Sequence, residues 1–163
     1  MRIIKKPLSK REKKQLIKEI PRELIEVDLN EKIEEAKVVS DRSGKEYLVI
    51  YINDKPTLAR IKNKFIPILC GQKLEFRGVV VDEGAVKHIT NGADVMRPGI
   101  VEVKGEFDKG DLVLVYSVNL PFPIAVGEAL YSSEEIKKME KGKVIKNIHH
   151  LGDELFKLCK GLA

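Results

Sequence analysis

The sequence predicts an α+β fold in two successive parts, a small α+β unit followed by a mixed β-barrel with short helices. From residue 32 onwards, short runs with strand character recur, and polar turn residues separate them. Only brief helical patterns interrupt these runs. In the second part, the alternate residues Ala125, Gly127 and Ala129 of one strand are all small, as a closely packed barrel requires.

The first part begins with a helix and continues with strands. Ser9 and Glu12 form a capping box that starts the helix, and Pro21 ends it. The pattern then predicts strands at residues 33–39, 45–52, 57–61 and 65–69. We expect this unit to end between residues 72 and 78. The predicted domains are therefore residues 1–77 and 78–163.

A strand, a helix and two glycine-containing turns are predicted between residues 79 and 100. Asp82 follows three valines as the helix N-cap, and Gly92 is expected to end the helix with a positive φ. Pro98 and Gly99 make the second turn. One helix side is expected to face the core, namely Ala85, Val86, Ile89 and Ala93. The opposite side is polar and is expected to meet both turns at one edge: Gly84, Lys87, His88 and Asn91.

The remaining elements of the second part follow the same signals. Residues 112–116 are apolar on both faces and predict a fully covered strand, and residues 119–123 form a hairpin tip with two prolines. A strand at residues 124–130 comes next. Ser132 and Glu135 start a short helix that Gly142 ends. A closing strand at residues 144–149 and a last helix near residues 153–158 complete the chain.

Positive charge is concentrated at the start of the chain. The net charge is +5, and residues 1–20 hold eight basic and two acidic residues, or 8 − 2 = +6. The remaining residues carry 22 − 23 = −1. Four cations of the first helix form what we call the basic ridge: Lys10, Arg11, Lys14 and Lys18. It is either a phosphate-binding surface or the solvated face of a lysine-rich helix.

Composition points to a soluble globular protein of the cytoplasm. The chain is 43% apolar and 34% charged, and no run approaches the roughly 18 apolar residues of a membrane helix. We therefore expect no membrane partner. Cys70 and Cys159 are far apart in sequence and are expected to be reduced thiols that pack as small apolar residues.

No motif in the sequence supplies catalytic chemistry. There is neither a G-x-S-x-G elbow nor a G-x-x-x-x-G-K-[ST] phosphate loop, so we predict no catalytic residue and no cofactor. His149 and His150 are adjacent in a predicted strand and would point to opposite faces. They cannot share an ion, and no metal site is predicted.

The stretch VDEGAVKHITNGADVMRPGI, with VGEAL and NIHHLGDELF after it, resembles a PUA domain, a small RNA-binding β-barrel. The ending KGKVIKNIHHLGDELF resembles the translation factors related to the product of the gene amplified in malignant T cells and to the N-terminal half of ligatin. The resemblance covers residues 45–158 well and the first forty residues poorly. It implies a pre-PUA-like α+β domain followed by a PUA domain.

The resemblance also implies an RNA-binding groove. Lys87 and Arg97 would meet phosphates, and main-chain groups near Gly92 would read a base edge. Asp94 adds a negative charge beside the groove unless it caps backbone amides. Met96 and Ala93 are expected to be core residues more than contacts. The residues carried over as RNA-binding are Lys87, His88, Asn91, Gly92, Ala93, Asp94, Arg97, Pro98 and Gly99. Alternatively, this stretch only builds the barrel.

The function implied is that of a non-catalytic RNA-binding protein. Its RNA would be tRNA or rRNA, and it would act on the small ribosomal subunit in initiation, reinitiation or recycling. A separate protein with a domain like the smallest initiation factor is an expected partner. One alternative is an RNA-binding accessory subunit for a tRNA- or rRNA-modifying enzyme or for ribosome biogenesis. Another is a small enzyme acting on tRNA.

Overall fold

The computed structural model describes residues 1–159, which group into two compact units. The first unit comprises Met1–Ile68 and residues 157–159, and the second comprises Leu69–Phe156. Each unit has its own β-sheet, and short helices accompany both sheets. The predicted α+β class, with a mixed barrel in the second part, is confirmed. No helix among the described residues is long and apolar enough to span a bilayer.

The sheet of the first unit has five antiparallel strands that lie in sequence order. The strands are β1 (Arg2–Pro7), β2 (Ile33–Val39), β3 (Glu46–Ile52), β4 (Lys55–Ile61) and β5 (Lys64–Pro67). The four predicted strands are present, and β1 is an additional strand. All six residues of β1 are exposed while the strand pairs with β2 along its whole length. An exposed edge strand has no apolar face, so its sequence carries no periodic signal.

Helix α1 (Lys10–Glu19) covers part of this sheet, and its predicted capping box is confirmed. The Glu12 N–H donates to Ser9 Oγ at 3.1 Å, and the Ser9 N–H donates to Glu12 Oε1 at 3.0 Å. The Ser9 N–H also lowers the pKa of the Glu12 carboxyl. Leu16 and Ile20 are buried and pack in a core with residues of β2 to β5. The helix ends before Pro21, as predicted.

The second unit contains a six-stranded mixed sheet. Its order is β7-β11-β10-β9-β6-β8, in which β6 and β9 are parallel and the other pairs are antiparallel. The strands are β6 (Gly78–Val81), β7 (Val95–Met96), β8 (Ile100–Lys104), β9 (Leu112–Ser117), β10 (Ala125–Ala129) and β11 (Lys143–His150). The helices of this unit are α2 (Glu83–Ile89) and α3 (Ser133–Lys138), with a 3-10 turn at Arg97–Gly99. Helix α4 (Glu154–Cys159) begins in this unit, and its residues 157–159 are grouped with the first.

The predicted small-residue face of β10 brings two backbones together. A side chain at Gly127 would place its Cβ 2.8 Å from the carbonyl oxygen of Lys146 and against Ile145. Ala125 and Ala129 are buried on the same strand. Glycine is therefore required at residue 127 because β11 lies too close for a β-carbon.

Helix α2 and the turn after it match the sequence prediction. The Asp82 side chain caps the helix by accepting the Ala85 N–H at 3.0 Å. Gly92 has a φ of +98°, and its N–H donates to the carbonyl of Ile89 at 3.0 Å. The Ala93 N–H then bonds the carbonyl of His88 at 3.0 Å. These two bonds close the C-terminal end of the helix around a residue in a left-handed conformation.

The two cysteines differ from expectation. Cys70 and Cys159 are both disulfide-bonded, and no free cysteine is present among the described residues. The expectation of reduced thiols is therefore wrong. It rested on the lack of a paired cysteine spacing in the sequence.

We predict that Gly92→Val destabilises the protein by at least about 1 kcal/mol, because a side chain in a left-handed conformation places Cβ against the following carbonyl. The matched control is Ala93→Val, which adds the same side chain at the next, exposed residue, where φ is not positive. Urea unfolding of both variants measures the difference. Equal stability of the two variants would show that the glycine conformation is not what ends α2.

Candidate nucleic-acid interface

The polar side of α2 is open to solvent. Lys87, His88 and Asn91 are exposed, and Ile89 on the opposite side is buried. Neither Lys87 nor His88 forms a side-chain hydrogen bond or ion pair with any described residue. A cation and an imidazole without protein partners are available to a ligand, and they stand one turn from the Gly92 backbone.

Two residues expected in the core lie at the surface. Met96 is 49% exposed, and Ala93 is exposed as well. In the two-residue strand β7, Val95 takes the inward position, so its neighbour Met96 must face outwards. Ala93 lies beyond the end of α2, where the helical periodicity used to place it no longer applies. The expectation that both residues belong to the core is wrong.

The two glycine-containing turns lie at opposite ends of α2. The carbonyl of Gly99 accepts the Asp82 N–H at 2.9 Å, which fixes the Pro98–Gly99 turn at the helix N-terminus. The Gly92 turn follows the C-terminus. Seven helical residues span about 10 Å at 1.5 Å per residue. The expectation that the turns meet at one edge is therefore wrong, and the exposed side of α2 runs between them.

Arg97 is tied to the protein backbone. Its Nε donates to the carbonyl of Ile136 in α3 at 2.7 Å, and its Nη1 donates to the carbonyl of Ile100 at 3.2 Å. Its own N–H donates to the carbonyl of Gly142 at 2.8 Å. The Nη2 group forms no hydrogen bond with the described residues. A guanidinium has five N–H donors, so Arg97 can hold the turn and still offer Nη2 to a phosphate.

Asn147 on β11 organises the Gly92 turn, and the sequence analysis did not find it. Its Nδ2 donates to the carbonyls of Ile89 and Ala93, both at 2.9 Å. Its backbone N–H donates to Asp94 Oδ1 at 2.7 Å. The turn is thereby attached on both sides of Gly92 to a strand more than fifty residues later. No local sequence pattern indicates such a contact.

Asp94 accepts a backbone amide, which was one of the two roles considered for it. Its second oxygen forms an ion pair with Lys143 Nζ at 3.0 Å. Burial acts to raise the pKa of the Asp94 carboxyl, but the Asn147 N–H and the charges of Lys143 and Lys146 outweigh it and lower the pKa. The carboxylate is therefore ionised at neutral pH, and two lysines of β11 compensate its charge.

His149 and His150 point to opposite sides of β11, as predicted. His149 is completely buried, and its Nε2 accepts the Leu69 N–H at 2.9 Å while its Nδ1 faces Asp153 at 2.8 Å. This arrangement requires a neutral ring with the proton on Nδ1. His150 is half-buried, and its Nε2 lies 3.5 Å from where a Cβ on Gly92 would be. His150 thus borders the Gly92 turn.

The basic ridge lies on α1 in the first unit. Its members, Lys10, Arg11, Lys14 and Lys18, are exposed and form no ion pair with the described residues. Lys13 of the same helix differs, because its Nζ donates to the carbonyls of Leu29 and Glu31 at 3.4 and 2.9 Å. The helix therefore uses one lysine for its own structure and leaves the ridge cations uncompensated.

The described residues contain no group of three or more His, Cys, Asp or Glu side chains that could hold a metal ion. The N–H groups of Gly92 and Ala93 already donate to helix carbonyls. The available chemistry of the interface is that of cations, one imidazole and the carbonyl of the exposed Gly92. These groups bind anions and the edges of bases.

Comparisons with known proteins assign each part of the chain. Residues 78–151 match the model of the PUA domain, and residues 5–71 match the model of a domain of unknown function, DUF1947. The PUA match includes α2, both glycine-containing turns and all of β11. The resemblance to a PUA domain is confirmed.

Several relatives share part or all of the chain. Uncharacterized protein MJ1432 of Methanocaldococcus jannaschii is 36% identical over 155 residues, which cover 91% of this chain and 93% of that protein. Translation machinery-associated protein 20 of Saccharomyces cerevisiae is 38% identical over 84 residues, 48% of this chain and 46% of that protein. Probable tRNA pseudouridine synthase B of Pyrobaculum aerophilum is 45% identical over 64 residues, 39% of this chain and 19% of that protein.

The whole fold is also found in a solved structure. The hypothetical protein PH0734.1 of Pyrococcus horikoshii OT3 superposes with a TM-score of 0.79 at 34% identity, over 96% of this chain and 99% of that one. Both units are therefore shared with an archaeal protein of nearly the same length. The chain belongs to the same family as MJ1432, a family of PUA-domain proteins related to translation machinery-associated protein 20.

Proposed function

We propose that this protein is a non-catalytic, cytoplasmic RNA-binding protein that captures the single-stranded 3′ end of a tRNA on the small ribosomal subunit during initiation, reinitiation or recycling. The observation that carries the proposal is the exposed side of α2. Lys87, His88 and Asn91 face solvent there, beside a turn in which Gly92 is exposed with a positive φ. Single-stranded ends suit such a surface because their unstacked bases present free edges.

Each group has a defined part in this binding. Lys87 and the Nη2 of Arg97 contact phosphates at the two ends of α2. The carbonyl of the exposed Gly92 accepts a hydrogen bond from a base edge, since the N–H groups of Gly92 and Ala93 already bond within the protein. His88 and Asn91 add side-chain hydrogen bonds to the same strand. Pro98 and Gly99 shape the turn at the N-terminus of α2. Asp94 holds the Gly92 turn in place through its bond with Asn147.

The link to translation comes from relatedness to translation machinery-associated protein 20, whose match covers about half of each protein. The partners that we propose are the small ribosomal subunit and a separate protein carrying a domain like the smallest initiation factor. The basic ridge of the first unit is proposed to contact RNA phosphates of tRNA or rRNA.

We expect wild-type protein to bind tRNA with its terminal CCA more tightly than tRNA lacking it. Lys87→Ala should weaken binding of the intact tRNA by roughly 1–3 kcal/mol if the amine meets a phosphate away from water. The matched control is Lys109→Ala, since Lys109 is also exposed and without an ion pair to described residues, and its loss should change affinity by a few tenths of a kcal/mol. Fluorescence anisotropy measures the affinity of all three proteins for both tRNA forms.

The affinity of Arg97→Ala must be interpreted together with its stability, because the substitution also removes two hydrogen bonds to backbone carbonyls. Its melting temperature must be measured beside its affinity. The proposal is contradicted if wild type binds both tRNAs equally, or if Lys87→Ala and Lys109→Ala weaken binding by the same amount.

For the basic ridge we expect a salt-dependent effect. Replacing Lys10, Lys14 and Lys18 with Glu should weaken RNA binding regardless of sequence and make log K fall less steeply with log salt, by about 0.7–0.9 per lost phosphate contact. The control set is Lys45, Lys55 and Lys62, which are exposed lysines of the same unit, replaced in the same way. If the two triple variants behave alike in salt titrations, the ridge is a solvated helix face.

A second candidate function is supported by the PUA segment shared with a probable tRNA pseudouridine synthase B. In that case the protein would present RNA to a modifying enzyme or act in ribosome biogenesis. Affinity purification from cells separates the two candidates. Recovery with small-subunit rRNA favours the translation role, and recovery with a modification enzyme favours the second. Turnover of tRNA by purified protein would contradict both non-catalytic roles.

A further inference from the structure

Strand β1 forms an exposed edge of the first unit's sheet. It lies outside β2 in the strand order, and all of its residues are exposed. Two of its side chains are large and apolar, namely Ile3, which is 38% exposed, and Ile4, which is 71% exposed. The opposite edge strand, β5, has three of its four residues buried. An exposed edge that carries apolar side chains is a template for pairing with another strand.

The backbone of β1 offers hydrogen-bonding groups to this edge. In an antiparallel pair, alternate residues turn their N–H and C=O groups toward the partner strand, and the residues between them turn these groups away. The Leu8 N–H donates to the carbonyl of Ile33 at 3.1 Å, and these two residues continue the register of β1 with β2. Leu8 and every second residue before it therefore bond with β2. The residues whose backbone groups point outwards are Ile3, Lys5 and Pro7, of which proline has no N–H.

The edge carries a net positive charge. β1 holds Arg2, Lys5 and Lys6 without an acidic residue, and β2 holds two glutamates and one lysine, or 3 − 2 + 1 = +2 for the pair of strands. Lys6 Nζ lies 3.6 Å from Glu35, and Lys5 Nζ lies 4.0 Å from the centre of the Tyr51 ring. Both lysines remain exposed. A complementary strand therefore carries carboxylates.

Two other occupants fit this edge poorly. In an antiparallel pair of two β1 strands, outward-pointing residues must face each other. The two registers that pair five residues of β1 then set Arg2 opposite Lys6, or Lys5 opposite Lys5, and like charges directly opposite are destabilising. An RNA would use the three cations through its phosphates, but it would leave the isoleucines and the outward-pointing backbone groups of the strand without a role.

We propose that β1 is the docking edge for an extended acidic segment of another protein, which adds to the sheet as a sixth, antiparallel strand. This inference is independent of the RNA-binding function proposed above. Backbone hydrogen bonds to Ile3 and Lys5 supply affinity, and the side chains opposite β1 supply specificity. Opposite residues 6 to 2, in that order, the complementary segment is Glu-Glu-Val-Val-Glu. It sets glutamates against the cations and valines against the isoleucines.

The probe is the labelled peptide acetyl-TEEVVET-amide, and fluorescence anisotropy measures its affinity for the full chain. We expect it to bind at least about tenfold more tightly than the charge-reversed peptide acetyl-TKKVVKT-amide. It should bind at least about threefold more tightly than acetyl-TVEEEVT-amide, which has the same composition in another order. The second comparison separates strand pairing from general attraction between opposite charges.

The variant Ile3→Pro removes one outward N–H and leaves every charge in place. Proline is tolerated on an edge strand where its N–H would face solvent, so the pairing of β1 with β2 should persist. The matched control is Ile3→Ala, which keeps the N–H. We expect Ile3→Pro to bind the peptide about fivefold more weakly than Ile3→Ala, as the loss of one hydrogen bond predicts. The melting temperatures of both variants are measured beside their affinities.

Hydrogen exchange followed by NMR locates the bound peptide. The amides of Ile3 and Lys5 should exchange at least about tenfold more slowly with saturating peptide, while those of Ile4 and Lys6 are protected with and without it. If wild type binds no peptide or binds all three equally, the lysines and Pro7 only shield the edge, and the proposal is overturned. It is also overturned if Ile3→Pro and Ile3→Ala bind alike, or if poly(U), and not the acidic peptide, slows exchange at Ile3 and Lys5.

Discussion

The candidate interface depends on the amide of Asn147. Its NH₂ group donates to the carbonyl of Ile89 at the end of α2, which also accepts the Gly92 N–H, and to the carbonyl of Ala93 just after the helix. Gly92 lies between these two anchor points with a positive φ. The turn is consequently held from both sides by a strand of the sheet, and its exposed backbone has a fixed position relative to Lys87. A turn of glycine and alanine without such support would lose more conformational freedom on binding, at a cost of about 1–2 kcal/mol per ordered residue.

Two kinds of contact with different consequences are available on this unit. Ammonium groups such as those of Lys87 and Lys146 supply attraction to phosphates that weakens as salt is added, and they carry no information on sequence. The uncharged backbone at Gly92 contributes little long-range attraction, yet it can distinguish a free base edge from a stacked one. Because α2 and β11 flank the same segment, a strand held by its phosphates would present its bases near the turn. In the proposed binding mode, affinity and discrimination come from neighbouring but separate groups.

Local signals in the sequence predicted local structure well. Asp82, the Ser9 and Glu12 pair and Gly92 all act on residues within one turn of themselves, so a short window contains the whole interaction. The contacts of Asn147 and Lys143 depend on β7 pairing with β11, about fifty residues away, and no single-sequence pattern encodes that pairing. The exposure of Met96 was missed for the same reason, because β7 exists only through its pairing with β11. In this strand of two residues Val95 points inwards, so Met96 points outwards. Helical periodicity placed Ile89 correctly and Ala93 wrongly because the helix ends between them.

Asp94 shows how a negative charge fits a surface suited to phosphates. An isolated carboxylate there would repel RNA, and its partial burial alone would favour the protonated form. The Asn147 N–H and the Lys143 ammonium instead stabilise the ionised form, so the charge of the carboxylate is compensated by groups of β11. Lys143 and Lys146 together carry one more charge than Asp94 removes. The carboxylate therefore reduces the attraction of this surface for phosphates by one charge. It also fixes the strand that holds the Gly92 turn, through Asn147, and the position of Lys143 beside Met96.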